Sequence, residues 1–212
     1  WKEKCPIASL RSRAIAEGIV SQEEFDGIDA KVEAAVSAAI EFAEGSPDPD
    51  PSTAAENVYA AEPRSGVAPE SDEVDQLPMA MAIQQALMEE MERDESVVVL
   101  GEDVAIGVFG VTSGLIAKFG ESRVLDTPIS ENVIAGAAVG AAMTGLRPVA
   151  EIEFGDFLTC CMDPIINQMA KLRCMTGGQV TLPLVIRTNT GSGFSAGAQH
   201  SQSLEALLMH VP

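Results

Sequence analysis

The chain has 212 residues, 46% of them hydrophobic and only 4% aromatic, with 13 Lys and Arg against 32 Asp and Glu and a formal net charge of −19. That length holds one full domain and something smaller, with enough apolar residues for a core built on alanine, valine and isoleucine. The charge argues against nucleic acid and against an anionic membrane surface as partners, since either needs clustered Lys and Arg. The longest apolar stretch, Val133 to Leu146, falls short of the roughly 18–20 residues that span a bilayer, so burial in protein is expected for it.

Residues 1–44 read as a helical hairpin. Pro6 can open a helix that stops near Gly18, and Ser21 followed by Glu24 forms a capping box for a second. In that second helix Phe25, Ile28, Val32, Val36, Ala39 and Phe42 or Ala43 recur at helical steps, which predicts one buried stripe. So short a hairpin has little core of its own and should dock on a larger body or a partner. Residues 45–78 follow with six prolines, from Pro47 to Pro78, and the acidic cluster Asp72, Glu73 and Asp75. This composition neither sustains a helix nor buries a core, and predicts a disordered, acidic, Pro-rich linker.

From Met79 the pattern alternates helix and strand. Ala80, Ile83, Ala86, Leu87 and Met91 mark a helix ending near Asp94, and Val97 to Leu100 a buried strand. A segment at Val124–Leu125, a glycine-rich helix, a strand over Val149 to Ile152, a helix reaching Cys174 and a strand over Pro183 to Arg187 continue the order. Such alternation predicts a parallel α/β sheet over 79–212, with its chemistry at the carboxyl ends of the strands, where Glu102, the loop after Glu153 and the loop before His200 fall. Asp163-Pro164 reads as N-cap and N1, a place for that long helix to restart or kink. Cys5, Cys160, Cys161 and Cys174 form no CxxC pair, and reduced structural thiols are expected. Nothing at the N-terminus resembles a signal peptide, and the sequence begins at Trp1, so any leader would lie outside it.

The stretch 126–145, DTPISENVIAGAAVGAAMTG, carries the most information. Pro128 disfavours helix for Thr127, Ser130 is a good N-cap, and Glu131 falls in the first turn, where the helix dipole favours negative charge. Ala135, Gly136, Gly140, Ala141 and Gly145 keep one side of the helix low, as if another backbone approached it. A capped core helix of an α/β domain accounts for the glycines equally well.

Glu131, Gly136-Ala137 and Gly140-Ala141 match E-x4-G-Φ-x-x-G-Φ, and with GEDV (101–104), GVTSGLIAKFG (110–120), RVLDTPISE (123–131), GLRPVAEIEF (145–154) and AQHSQS (198–203) the chain resembles the β subunit of a thiamin-diphosphate-dependent 2-oxo acid or acetoin dehydrogenase E1 component. The resemblance covers 79–212 almost without a gap. More loosely, 1–44 with FAEGSPDPDP (42–51) resembles the C-terminal end of an E1 α subunit, which suggests the two subunits fused in one chain.

The resemblance implies a transketolase-like pyrimidine-binding domain and thiamin diphosphate as cofactor. It implies Glu131 as the carboxylate paired with the pyrimidine N1′, a role that asks for a carboxyl held protonated more readily than usual. It implies Phe157 as the ring stacked on the aminopyrimidine, His200 as the acid/base group of acyl transfer, and Glu102 as either a cofactor-side acid on a proton path or a solvated loop acid. Mg²⁺ and the diphosphate would be held by an E1 α-like region carrying a Gly-Asp-Gly motif, which does not occur here. A second E1 protomer and a lipoyl E2 component are the other implied partners, and the location would be cytoplasmic, or mitochondrial matrix or plastid in a eukaryote. The family usually has glutamine at position 164, so Pro164 could shift Phe157. Two other readings stay open, a transketolase or deoxyxylulose-phosphate synthase performing ketol transfer, and a non-catalytic α/β interaction module.

Overall fold

The computed structural model of the chain describes residues 5–56 and 76–211, in two compact units, Trp1–Glu56 and Asn57–Pro212. In the first, Pro6 opens α1 (Pro6–Ala16), where its missing N–H leaves no helical bond unmade. Ser21 caps α2 (Gln22–Gly45) through the expected box: its hydroxyl accepts from Glu24 N at 3.2 Å, and Glu24 Oε2 accepts from Ser21 N at 2.8 Å. Arg11 joins the helices, 2.5 Å from Asp29 Oδ2 and over the Phe25 ring. The α2 stripe, expected to dock on a larger body or a partner, finds no cover within its own unit. Ile28, Val32, Val36 and Phe42 are all more than half exposed and α2 has no buried residue, because an α1 of 11 residues cannot cover a helix of 24.

Of the predicted linker, residues 57–75 lie outside those described. Just before them the segment carries one short helical turn. Pro51–Ala55 makes a 3₁₀ turn, opened by proline at its first position and by Asp50, whose carboxylate accepts from Ser52 N at 2.8 Å.

The second unit is a four-stranded parallel sheet in the order β2-β1-β3-β4, formed by β1 (Val97–Gly101), β2 (Val124–Asp126), β3 (Arg147–Phe154) and β4 (Val185–Asn189). Strand β1 is buried along its whole length, as its uninterrupted VVVLG requires. On one face α3 (Met79–Arg93) and α4 (Leu115–Phe119) close a core of Leu87, Met91, Val97, Val99, Val104, Val111, Leu115 and Val124. On the other, α5 (Glu131–Met143) sets Ile134, Ala135 and Ala138 against Leu100, Ala150 and Ile152, with Leu158, Cys161 and Ile165 beyond. Each fully buried aliphatic there contributes roughly 1.5–3 kcal/mol. Among the described residues no helix is long and apolar enough to cross a membrane.

One sequence expectation about this unit changes and two are sharpened. The helix drawn to Cys174 is a broken path: a 3₁₀ segment Gly155–Cys161, a π-helical turn Pro164–Met169 begun by buried Pro164, and α6 (Leu172–Met175). Asp163 makes no cap and instead accepts from Asn167 Nδ2 at 2.7 Å. Among the described residues the glycines of α5 meet no neighbouring backbone, for a Cβ at Gly136 or Gly140 would stand in open space. They share the outward side of α5 with Val133 and Met143, both about half exposed or more, so the apolar stretch is buried on one side only. Of the four free cysteines only Cys161 belongs to the core, where burial pushes its thiol up to about 11, while Cys160 and Cys174 are exposed.

Candidate functional site

The strand order fixes where chemistry can sit. The chain leaves β1 to one side for β2 and returns across it to β3, so the carboxyl ends of β1 and β3 flank the switch point of the sheet, and a crevice opens there. Gly101 ends β1 against β3 so closely that a Cβ would come within 2.5 Å of the Glu151 carbonyl oxygen. Glu102 and Asp103 follow, Asp103 held at φ +53, and Asp126 at the end of β2 accepts from Ala105 N at 3.2 Å to fasten the turn.

Two groups of side chains gather at this edge. The first is acidic: Glu102, Asp103 and Glu153 bring carboxylate oxygens within 4.8 Å of one another. With Glu151, Thr112 and Phe109 they line a hollow of about 10 Å³, room for about one water. Burial raises the carboxyl pKa of Glu102, and repulsion from Asp103, Glu131 and Asp126 adds to it. Burial likewise raises Glu153, with Glu102, Asp103, Glu151 and Glu131 acting in the same direction. Beneath them Glu151, 5% exposed, pairs through Oε1 with Arg187 of β4, whose other nitrogen donates to Asn189 Oδ1 at 2.9 Å. Glu151 Oε2 is buried with no partner among the described residues, and burial holds its carboxyl above the usual range despite the arginine.

The second group is aromatic. Phe154, the last residue of β3, packs its ring 4.8 Å from His200, 5.7 Å from Phe157, 5.4 Å from Phe109 and 5.7 Å from Phe194, centre to centre. Phe157 and His200 meet edge to face at 5.2 Å. A β-bulge at Ile152/Phe154 ends the regular pairing with β4 just here. Beside these rings Asp156, 7% exposed, accepts from Gln202 Nε2 at 2.7 Å and faces Gln202 N at 3.4 Å.

Of the four residues singled out in the sequence, Phe157 and His200 are brought into contact, whereas Glu102 and Glu131 belong to the acidic edge. Glu131 sits at the first position of α5, half-buried, and its carboxylate makes no hydrogen bond or ion pair with the described residues. The expected Ser130 cap does not form. Its hydroxyl donates back to Pro128 O at 3.1 Å, because the turn that Pro128 imposes aims it away from the helix N–H groups. Sequence reasoning passed over Phe154, Phe109, Phe194, Asp156 and the Glu151–Arg187 pair. Phe154 was within reach, since Ala150, Ile152 and Phe154 alternate along β3; nothing in the sequence marks Asp156 as buried.

A parallel doubly wound sheet with carboxylates and aromatic rings at its switch point defines an α/β domain with its polar and aromatic side chains gathered at the carboxyl edge. Residues 75–212 match the family described as transketolase, pyrimidine binding domain, and the chain belongs to that family. The β subunit of acetoin:2,6-dichlorophenolindophenol oxidoreductase from Bacillus subtilis (strain 168) is 49% identical over 148 residues, covering 63% of this chain and 43% of that one. The 2-oxoisovalerate dehydrogenase subunit beta of the same organism is 47% identical over 133 residues, 62% of this chain and 41% of the relative. The chloroplastic pyruvate dehydrogenase E1 component subunit beta-3 of Arabidopsis thaliana is 50% identical over 133 residues, 62% and 33%. The second unit is therefore an E1 β-type pyrimidine-binding domain, and the chain spans less than half the length of these curated relatives.

Proposed function

We propose that this chain supplies the pyrimidine-binding half of a thiamin-diphosphate-dependent E1 component, which cleaves acetoin or decarboxylates a 2-oxo acid and passes the acyl group to a lipoyl E2. The observation that carries the reading is the pairing, at one edge of the sheet, of an unbonded carboxylate opening α5 with an aromatic cluster that holds a histidine. The relatives named above favour this over ketol transfer, since acetoin, 2-oxoisovalerate and pyruvate enzymes recur among them.

The residues present suit the aminopyrimidine end of the cofactor and not its diphosphate. Glu131 offers a free carboxylate to a ring nitrogen, and Phe157 offers a flat wall worth about 0.5–1.5 kcal/mol beyond area. The neighbouring hollow is lined by Glu102, Asp103, Glu151 and Glu153, which repel a diphosphate. On this reading Mg²⁺ and the diphosphate are held by an E1 α-like region, since the sequence has no Gly-Asp-Gly motif. Bound thiamin diphosphate would supply a carbon nucleophile for the substrate carbonyl. For this chain's part, Glu131 holds and returns a proton at the pyrimidine nitrogen. Glu102, with its carboxyl pKa raised by burial, is the next acid along the same edge and extends that proton path. His200, half-buried against Phe154 and Phe157, moves the proton of acyl transfer at the mouth of the crevice.

On this reading residues 1–44 are the end of an α part, 45–78 the linker of a fused chain and 79–212 the β part. A second protomer would cover the Gly136–Gly140 side of α5 and a partner the α2 stripe, in the cytoplasm, a mitochondrial matrix or a plastid. The test is reconstitution. The chain alone should show no saturable thiamin-diphosphate binding at micromolar concentration by calorimetry with Mg²⁺, and adding an E1 α-type region should bring both binding and lipoyl acylation. In the reconstituted enzyme Glu131→Gln should slow C2–H exchange by about 10²–10⁴-fold, followed by NMR in deuterated buffer. His200→Ala should abolish acylation while cofactor binding persists. Unchanged exchange in the first and unchanged acylation in the second would refute these roles.

A further inference from the structure

Resting on that reading of Phe157 and His200, we propose that Asp156 is the positioning residue that seats His200, acting through Gln202, so that one carboxylate sets the acyl-transfer group and the aromatic wall in register. Asp156 lies in the 3₁₀ turn that presents Phe157 and is 7% exposed. Among the described residues it has no cationic partner. Its carboxylate is satisfied from across 46 residues of sequence, accepting the Gln202 side-chain N–H at 2.7 Å and facing the Gln202 backbone N–H at 3.4 Å.

Gln202 lies two residues beyond His200, and its carbonyl in turn accepts from Gly191 N and Thr190 Oγ1, both at 3.0 Å, which pins it to the end of β4. Within the loop His200 N donates to Gly197 O at 3.3 Å and Ser201 Oγ accepts from Ala196 N at 3.0 Å. These bonds shape the loop without orienting it toward β3. Asp156 supplies that tie, and with it the ring contacts of His200 to Phe154 and Phe157. Both groups that reach Asp156 from Gln202 are donors, so an acceptor-only side chain is matched there. Asparagine would turn an NH₂ toward one of them, and Gln202 would have to rotate its side-chain amide to accept from it.

The polarity of the clamp makes it testable by reversal. With Asp156→Asn and Gln202→Glu together, the amide introduced at position 156 donates into the new carboxylate and its oxygen accepts from the backbone N–H, restoring the side-chain bond with donor and acceptor exchanged and the backbone bond in its original direction. The readout is the histidine ring spectrum of the full chain, which carries only His200 and His210, assigned with His210→Gln. The wild-type His200 ring protons should be displaced by the neighbouring phenyl rings. Asp156→Leu and Gln202→Leu should move them to the position of an exposed imidazole, Asp156→Asn should move them part of the way, and the double exchange should return them. Ile152 and Val99 methyl signals report whether the core is intact, and should Asp156→Leu fail to fold, Gln202→Leu on the exposed loop carries the test. An unmoved His200 signal in Gln202→Leu, or a folded double variant that does not restore it, overturns the proposal. In the reconstituted enzyme Gln202→Leu should lower acylation about 10- to 100-fold with cofactor binding unchanged, in keeping with the cost of a small misplacement of a reacting group. If His200→Ala proves fully active, the reading of His200 fails while the spectra still decide whether Asp156 seats it.

Discussion

The face of the sheet that carries α3 has two ends of opposite character. At the carboxyl end, Glu102, Asp103 and Glu153 crowd a hollow of about 10 Å³. Toward the amino end, Ile83, Leu87, Val149, Leu184 and Val185 line an open groove of about 480 Å³. The Glu151–Arg187 pair is the partition, Glu151 on the wall of the hollow and Arg187 on that of the groove. A parallel sheet collects its loops at one edge, so charge accumulates where the backbone is free to present it, and the other edge keeps the apolar surface of the strands. The ion pair lets one strand register, Glu151 opposite Arg187, serve both.

That account breaks most sharply at the partition. Arg187→Met leaves Glu151 buried with neither oxygen matched, and should cost about 3–5 kcal/mol in urea unfolding at pH 7. Since burial already holds the Glu151 carboxyl above its ordinary range, losing the arginine raises it further in the folded chain only. The loss should therefore be full above that raised pKa and shrink as pH falls toward the unfolded-state value, where Glu151 is protonated in both states. Arg187→Met with Glu151→Leu should recover most of the stability at pH 7. A smaller effect is expected at the groove. Val185→Lys, at a 54% exposed position, should change stability by less than about 0.5 kcal/mol yet weaken binding of a hydrophobic dye severalfold by fluorescence titration.

The sequence revealed the strands, because runs such as VVVL and the alternation in β3 record burial directly. It also revealed the glycine helix with its acid, and that Glu102 and His200 would fall beyond the carboxyl ends of the strands. What it could not reveal depends on contacts far apart in the chain, such as Asp156 with Gln202 or Glu151 with Arg187, for which no local pattern exists. Periodicity is informative only up to a point. In α2 it marks a face fit for burial, and that face lies open here, whereas α5, apolar all round and with no such stripe, has Ile134, Ala135, Ala138, Val139 and Ala142 buried. A helical stripe says which side wants a partner and not whether the same chain provides it.

A further mild effect tests the acidic end itself. Glu153 is partly buried beside Glu102, Asp103 and Glu151, and its carboxyl is held above the usual value by burial first and by those charges second. A group whose folded-state pKa is raised binds its proton more tightly in the folded chain, so its contribution to stability is complete at pH below its unfolded value and is lost as pH rises through the folded one. At neutral pH the ionised Glu153 is thus a net cost, reduced by its remaining contact with water. Glu153→Gln removes that charge while keeping the shape, and should raise the melting temperature at pH 7 by about 1–3 °C, the response of a chain this size to less than about 1 kcal/mol. The gain should disappear as pH falls below the ordinary carboxylate range, because the wild-type side chain is then neutral in both states. A melting temperature lowered by the substitution at pH 7 would mean that Glu153 makes a favourable contact in solution, and that the carboxyl edge of the sheet is not the electrostatically strained one.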